Sequence, residues 1–290
     1  MSQSLPSSQP DADRKSDSED HIVLFLDAIV GAGRGASLLE KIRQTNKPMV
    51  VARKVAASAQ FEQLYKLSRT TNISKTGTLE ANLSAVGLSS ADDRASFEEL
   101  LERAFLPRLE KRADGFREIF NRLSHDSTEF PLIVETGCLR VPGNWAGDGQ
   151  STFLFDAFAR RKGGLFYSID INPESIDSAR SVCSSFTNLI LNDSVSALSA
   201  FSKLIGGRKI DLLYLDSFDV DHKNPMPSAI HHAKEFMAAR PLIGSGSLIC
   251  VDDYNLAGVE GGKGLVINAY MENIGAEIVY SGYQKVWRYP

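Results

Sequence analysis

The sequence has few of the features that mark secreted, zinc-binding and nucleic-acid-binding proteins. Its 290 residues include only three cysteines, Cys138, Cys183 and Cys250, which are far apart and lie in or beside apolar runs. We expect reduced packing residues of a cytoplasmic protein, and without a Cys-x-x-Cys pair or Cys/His cluster zinc is not expected. A formal net charge of −4 gives no basic excess for nucleic acid. A small molecule is therefore the expected partner.

Long apolar runs are also lacking. The run IVLFLDAIV at 22–30 is too short to cross a bilayer and contains Asp27, so no membrane association is expected. Residues 1–20 are almost all polar and lack the apolar core of a signal peptide, which predicts a disordered tail.

The rest of the chain shows two kinds of periodicity. Between residues 21 and 125, apolar residues recur every three or four positions, which predicts helices, and Pro107 predicts a break among them. From residue 131 onwards, short β-rich runs alternate with helical stretches. The predicted strands are PLIVET, GLFYSID, NLIL, IDLLYLD, GSLICVDD, AEIVYSG and YQKVWRYP.

This alternation predicts an α/β fold of the Rossmann-like kind, with a parallel sheet covered on both faces. The last two runs, joined at Gly282, predict a hairpin that adds an antiparallel edge strand. We expect residues 126–290 to form the ligand-binding domain. Residues 21–125 would be a helical N-terminal extension that serves as a substrate cap or homo-oligomer interface.

A glycine-rich loop, within VETGCLRVPGNWAGDGQST at 134–152, follows the first predicted strand. In such sheets ligands bind at the carboxyl ends of the strands, where glycine allows close approach to the backbone. Glu135 and Asp170 end the first two strands, and Asn192-Asp193 follows the third. Asp170 suits two ribose hydroxyls and Asn192-Asp193 an adenine edge. The carboxylates favour a cationic adenosine derivative over a phosphate-rich nucleotide.

A second group of acids falls at the ends of the next two strands. Asp216, Asp252 and Asp253 would bring three carboxylates to one edge of the crevice, where they would repel one another if unpaired. A hard divalent cation with oxygen ligands would resolve that repulsion. Asp219 and His222 follow Asp216 on the same loop and are the two candidate general bases.

The motifs ETG with Arg140, SID, YLDSFD and VDDY, within about residues 130–290, resemble those of class I S-adenosylmethionine-dependent methyltransferases. They are most similar to the metal-dependent macrocin O-methyltransferase-like group, which methylates sugar hydroxyls on natural products. The resemblance implies a seven-stranded methyltransferase sheet, S-adenosylmethionine as methyl donor and a divalent ion, usually magnesium, on Asp216, Asp252 and Asp253. The expected donor-binding residues are Glu135, Thr136, Gly137, Ser151, Thr152, Asp170, Ile171, Asn192 and Asp193.

The chain departs from the group's pattern in two places. The insertion LRVPGNWAGDGQST is long, and DSFDVDH stands where relatives have a shorter Asp-x-Asp, which leaves the base and the acceptor open. Trp145 in the insertion could cover the donor or anchor the loop. Lys263 in EGGKG could contact substrate or a charged oxygen, although a solvated loop lysine is expected.

Two other functions remain open. Gly31, Gly33 and Gly35, followed by a run ending in Arg53, imitate a dinucleotide-binding turn, so an NADP-dependent oxidoreductase is one alternative. The spacing is G-x-G-x-G rather than G-x-G-x-x-G, which favours a small-residue helix or turn instead. A non-catalytic S-adenosylmethionine-binding protein is the other alternative.

Overall fold

A computed structural model describes residues 84, 86–89, 95–125, 130–205 and 208–290 of the protein. All of them belong to the second of two compact units into which the chain divides, Val55–Pro290. The predicted tail at 1–20 and the glycine turn at 31–35 lie outside the described residues. Within the described part of the chain, no helix combines the length and apolar character needed to span a membrane.

Seven strands form one mixed sheet in the order β3-β2-β1-β4-β5-β7-β6. The five from β3 to β5 pair in parallel, whereas β7 is antiparallel to both β5 and β6. This confirms the α/β, Rossmann-like prediction with seven strands. The strands are β1 Leu132–Thr136, β2 Leu165–Asp170, β3 Thr187–Leu191, β4 Leu212–Leu215, β5 Leu248–Val251, β6 Glu277–Ser281 and β7 Lys285–Arg288.

The final hairpin differs from the prediction in one detail. The antiparallel strand is β7, and it lies one place in from the edge, between β5 and β6. All four residues of β5 are buried, so pairing with β7 satisfies backbone groups that an uncovered β5 edge would leave open.

Helices cover both faces of the sheet. Before β1 the chain forms α1 (Phe97–Leu100), a π-helical turn (Leu101–Phe105), α2 (Leu106–Leu109), a 3₁₀ turn (Glu110–Arg112) and α3 (Ala113–His125). Pro107 lies at the start of α2, where the helix changes character as predicted. The later helices are α4 Trp145–Asp148, α5 Ser151–Lys162, α6 Pro173–Val182, α7 Ser194–Leu204, α8 Met226–Ala239 and α9 Leu265–Asn273, with 3₁₀ turns at Arg240–Leu242 and Gly262–Gly264.

Alternating strand residues divide the core into two layers. In β1, Ile133 points into the layer that contains α3 and α5, whereas Leu132 and Val134 point into the layer of α7, α8 and α9. Helix α3 buries Phe116, which stacks on Tyr214 of β4 with 5.7 Å between ring centroids. Part of the predicted N-terminal extension is therefore a layer of the sheet domain's own core. The three cysteines are free and buried, as predicted.

Candidate functional site

The first strand-to-helix connection begins with a backbone that only glycine adopts easily. Gly137 has a φ of 81°, and a Cβ atom there would lie 2.5 Å from the carbonyl oxygen of Asp216. Its N–H donates to the carbonyl of Ile169 at 2.8 Å. Gly137 thus holds the start of the connection against the ends of β2 and β4. We call this connection, residues 137–150, the donor loop, after the methyl donor that the sequence predicts it to bind.

Glu135, next to this loop, is a buried acid with an unused oxygen. Its Oε2 accepts hydrogen bonds from Thr152 Oγ1 at 2.8 Å and from Ser168 Oγ. Its Oε1 is buried without a partner. Burial raises the pKa of Glu135 to about 7, although the nearby hydroxyl groups of Ser151, Ser168 and Thr152 act in the opposite direction. A cationic ligand group at Oε1 would supply the missing partner.

The donor loop is held by its own polar side chains. Gln150, with a φ of 52°, accepts from the N–H of Gly143 at 3.0 Å and donates to the carbonyl of Val141 at 2.9 Å. Asp148 accepts from the N–H of Arg140 at 2.7 Å. These hydrogen bonds join residues of the same loop, so the long glycine-rich insertion is held together by its own side chains.

Trp145 anchors the donor loop. Its ring is buried and stacks on Phe105 at 5.7 Å, and its Nε1 donates to the carbonyl of Val86 at 3.1 Å. Of the two roles open for Trp145 from the sequence, the structure supports the anchor.

Asp170 lies at the end of β2 and organises two loops. Its Oδ2 accepts from the N–H of Cys138 at 3.0 Å, and its Oδ1 accepts from the N–H of Asn172 at 2.8 Å. The next residue, Ile171, is an apolar side chain left 71% exposed. An acid joined to the donor loop beside an exposed aliphatic group suits a ribose and the face of a base.

Asn192 and Asp193 follow β3, and Asn192 is exposed whereas Asp193 is half-buried. Asp193 caps α7, because its carboxylate accepts from the N–H of Ser196 at 2.8 Å, and the Ser196 side chain and backbone together lower the pKa of Asp193. Asp193 therefore acts as a helix cap. Its contact with the methyl donor remains a prediction.

Thr136 faces away from the donor loop. Its Oγ1 donates to the buried Glu235 of α8 at 3.1 Å, and Glu235 also accepts from Ser217 at 2.6 Å. His231 lies 3.3 Å from the same carboxylate. Burial would raise the pKa of Glu235, but the bonds from His231 and Ser217 and the nearby His232 together outweigh burial and lower the pKa. The Thr136 side chain thus fixes the ends of β1 and β4 to α8.

Asp216, Asp252 and Asp253, hereafter the acidic cluster, follow β4 and β5 and are paired with buried cations. Lys263 Nζ contacts Asp216 and lies 3.0 Å from Asp253 Oδ2. Arg112 Nε donates to Asp252 Oδ2 at 2.8 Å, and its Nη2 lies 3.8 Å from Asp253 Oδ1. The repulsion expected from the sequence is therefore met by one lysine and one arginine.

Lys263 is 1% exposed, so the expectation of a solvated loop lysine was wrong, and the lysine instead contacts charged oxygens, the alternative left open by the sequence. Burial alone would lower its pKa, but the carboxylates of Asp216 and Asp253 outweigh burial and raise it, so the ammonium stays charged. Gly261 and Gly262 have positive φ values, and a Cβ on Gly262 would clash with the carbonyl of Asp253. These two glycines place the lysine inside the acidic cluster.

The cluster's fit to a metal ion is chemical rather than geometric. Among the residues that the structure describes, no three acidic, histidine or cysteine side chains form a group that could hold a metal ion. The donor set nevertheless consists of carboxylate oxygens, and Asp252 Oδ1 is buried without a hydrogen-bond partner. The predicted metal ligands are therefore brought into one cluster, and their role as ligands remains a prediction.

An open cavity of about 550 Å³ adjoins this cluster. Asp253 and Tyr283 line it, together with both candidate bases, Asp219 and His222, and Lys111 of the 3₁₀ turn. Asp219 is exposed and pairs with Arg140 Nη1 at 3.1 Å, which connects its loop to the donor loop. The volume of the cavity is that of a small-molecule site.

The structure therefore separates the predicted residues into two groups. Glu135, Gly137 and Asp170 surround the start of the donor loop, whereas the acidic cluster and candidate bases lie beside the cavity. Sequence reasoning missed Arg112, which lies 140 positions from its partner in an ordinary helical pattern and carries no local signal. For Lys263, the flanking glycines were a signal that could have indicated its placement.

No protein-family model and no curated protein matches the chain. Similar solved structures include the MycE methyltransferase from the mycinamycin biosynthetic pathway in complex with Mg, SAH and mycinamycin VI, at 16% identity and a TM-score of 0.40. That match covers 58% of this chain and 48% of MycE, so the chain spans about half of that relative's length.

Two others are matched over nearly their whole length. An O-methyltransferase from Bacillus cereus in complex with SAH is 15% identical with a TM-score of 0.40, over 79% of this chain and 99% of that one. CalS11, a TDP-rhamnose 3'-O-methyltransferase of calicheamicin biosynthesis, is 15% identical with a TM-score of 0.39, over 80% and 95%. At such low identity, the activity of this chain has to be argued from its own residues.

Proposed function

We propose that the chain is an S-adenosylmethionine-dependent methyltransferase that acts on a hydroxyl of a small molecule. The observation that carries the proposal is the buried Glu135, whose Oε1 has no partner beside a glycine loop at the carboxyl end of β1. Asp170 and the exposed Ile171 lie at the end of the neighbouring strand. Together they offer an acid for a cationic amino-acid end, an acid for a ribose and an apolar face for a base.

In this proposal the donor lies along the ends of β1, β2 and β3. Glu135 binds the ammonium group, Asp170 accepts from the ribose hydroxyls, and Ile171 packs on the adenine. Gly137 leaves room for the donor, and Asn192 and Asp193 approach the adenine edge. The buried side chains of Ser151 and Thr152 act through Glu135, which they orient.

The cavity beside the acidic cluster is the proposed acceptor site. Its polar groups, including Asp219, His222 and Asn255, alternate with apolar ones such as Leu256, a lining that suits a ring with several hydroxyls. With the sequence resemblance, this favours a sugar or a glycosylated natural product. S-adenosylmethionine bound there would supply the methyl group to the acceptor oxygen, and Asp219 or His222 would accept the proton of the acceptor hydroxyl.

We further propose that Asp216, Asp252 and Asp253 hold a divalent ion, preferably magnesium. Such an ion would acidify and orient the acceptor hydroxyl. Carboxylate oxygens are the ligands magnesium prefers, and the free Oδ1 of Asp252 is available. Because Lys263 now engages two of the three carboxylates, the ion would share or replace that contact. Cytoplasmic location and homo-oligomer formation remain parts of the proposal that rest on the sequence.

Calorimetry with three ligands tests the proposal. We expect SAH and S-adenosylmethionine to bind and NADP not to bind. NADP binding without SAH binding would move the site to the glycine turn at 31–35 and support the oxidoreductase alternative. SAH binding without methyl transfer to any of a panel of glycosides, with magnesium present, would favour the non-catalytic alternative.

A further inference from the structure

Arg112 reaches from the helical region into the candidate site. It ends the 3₁₀ turn between α2 and α3, and it is only 4% exposed. The turn begins at Glu110, whose φ of 47° and ψ of −117° form a combination that residues other than glycine rarely adopt. Strained backbone of this kind concentrates at functional sites. The turn therefore places a buried cation at the cost of an unfavourable backbone.

One side of the Arg112 guanidinium contacts the acidic cluster. Its Nε donates to Asp252 at 2.8 Å, and its Nη2 lies 3.8 Å from Asp253. It also lies over the ring of Tyr283, 4.8 Å from the centroid, and Tyr283 donates its hydroxyl to Asp253. Arg112 thus fixes one carboxylate directly and supports the other through an aromatic neighbour.

The other side of the guanidinium holds the donor loop. Its Nη1 donates to the carbonyls of Ala146 and Gly147, at 3.2 and 3.3 Å. Gly149 leaves space for the arginine, since a Cβ there would lie 2.8 Å from Arg112 Cδ. The residues after these, Gln150, Ser151 and Thr152, lead back to Glu135.

Only an arginine can make all these contacts at once. The guanidinium is a planar fork with five N–H donors, and here its separate nitrogens serve a carboxylate and two backbone carbonyls. A lysine has one nitrogen, so it could remain beside Asp252 or reach the loop, but it could not hold both in the same geometry.

We infer that Arg112 is a positioning residue that couples the donor loop to the acidic cluster, so that loss of either contact loosens both. This inference rests on the proposed function, because it assigns methyl-donor binding to the donor loop. Its consequence is that a change at Asp252, outside the donor-binding residues, weakens donor binding through Arg112.

The test compares Arg112→Lys with Arg117→Lys, a matched change at an exposed ion pair of α3. SAH affinity is measured by calorimetry in EDTA, which removes any metal effect, and hydrogen exchange is followed in residues 138–149. We expect Arg112→Lys to weaken SAH binding about tenfold and to speed exchange in the donor loop, with the control unchanged. SAH affinity within twofold of the control would overturn the inference.

Asp252→Asn supplies a double-mutant cycle. We expect it to weaken SAH binding in the wild-type chain and to add nothing to Arg112→Lys, because the coupling is already lost. Additive losses would overturn the inference. If Arg112→Lys does not fold, Asp252→Asn alone tests the inference. Unchanged SAH affinity of Asp252→Asn would then overturn the inference.

A wild-type chain that binds no SAH would overturn the proposed function, and hydrogen exchange would then decide on the coupling. Faster exchange of the donor loop in both Asp252→Asn and Arg112→Lys would support a connection between loop and cluster. Unchanged exchange would overturn that connection as well.

Discussion

Lys263 Nζ lies 3.0 Å from Asp253 Oδ2 and also contacts Asp216, so a single buried ammonium connects the carboxyl ends of β5 and β4. Asp253 itself has a φ of 48°, a conformation unusual for a residue other than glycine. Burial would raise the pKa of Asp253, but Lys263, Tyr283 and Arg112 outweigh burial and lower it. The pair is therefore charged on both sides, and its disruption would leave an uncompensated charge.

Lys263→Met is expected to lower the free energy of unfolding by about 3 kcal/mol, because it leaves the half-buried carboxylates of Asp216 and Asp253 without their buried cation. Urea denaturation in EDTA measures the loss. Lys162→Met is the matched control, since Lys162 pairs with Glu98 at the surface and should contribute less than about 1 kcal/mol. Asp216→Asn in the Lys263→Met background should restore part of the stability. Equal losses in both lysine variants would contradict the prediction.

Glu135 predicts a specific pH dependence. Burial raises the pKa of Glu135 from 4.5 in the unfolded chain to about 7 in the folded one. The stability contributed by the protonated Glu135 is therefore complete below pH 4.5 and is lost as the pH rises to about 7. Glu135→Gln should therefore lose less stability than the wild type between pH 4.5 and 7.5. The difference is about 3 kcal/mol, measured by urea denaturation at both pH values.

The exposed Glu99 provides the control for Glu135. Glu99→Gln removes a carboxylate at the surface and should follow the wild-type stability curve across the same pH range. Parallel curves for Glu135→Gln and the wild type would show that Glu135 is ionised in the folded protein at pH 5, contrary to the prediction.

Features that depend on neighbouring residues were predictable from the sequence, whereas features that depend on contacts between distant segments were not. The strands were predictable because buried parallel strands need continuous apolar runs, such as Leu212–Leu215. The strand ends then fixed the places of Glu135 and Asp170, because parallel strands share one carboxyl edge. The position of β7 between β5 and β6 depends on pairing between distant segments, which periodicity does not encode.

Burial of charge was the least predictable feature. Lys263 and Arg112 resemble surface residues by composition, since isolated lysine and arginine are rarely buried. Their burial depends on the acids of two other segments, which come together only in the folded chain. The sequence therefore indicated where the anionic groups gather but not the cations that neutralise them.

Asp170→Asn is expected to weaken SAH binding about tenfold or more, because the proposed bonds to the ribose lose their charged acceptor. Asparagine keeps one acceptor oxygen, for the backbone N–H of either Cys138 or Asn172, whereas alanine keeps none, so this variant disturbs the donor loop less than alanine would. Calorimetry gives the affinity and thermal unfolding the stability. Asp177→Asn is the control, because Asp177 forms an exposed ion pair with Arg180 on α6. Unchanged affinity with a lower melting temperature would mark Asp170 as structural.

Metal removal tests the acidic cluster. If Asp216, Asp252 and Asp253 hold an ion, EDTA should abolish methyl transfer, magnesium should restore it, and SAH affinity should change less than about threefold, since removal of the ion leaves Arg112 bonded to Asp252. Asp253→Ala should be as inactive as Asp253→Ala combined with Asp216→Ala, because the first loss already releases the ion. The measurements are initial rates with a glycoside acceptor and calorimetric titration of magnesium.

Lys263 gives the metal prediction a second measurement, independent of activity. The ammonium and a divalent ion would use the same oxygens of Asp216 and Asp253, so Lys263→Gln should bind magnesium more tightly than the wild type, by about tenfold. Lys162→Gln should bind it as the wild type does. Full activity in EDTA, with Asp253→Ala also active, would exclude the metal and leave Asp219 or His222 as an unaided base, with Lys263 as the cluster's permanent cation.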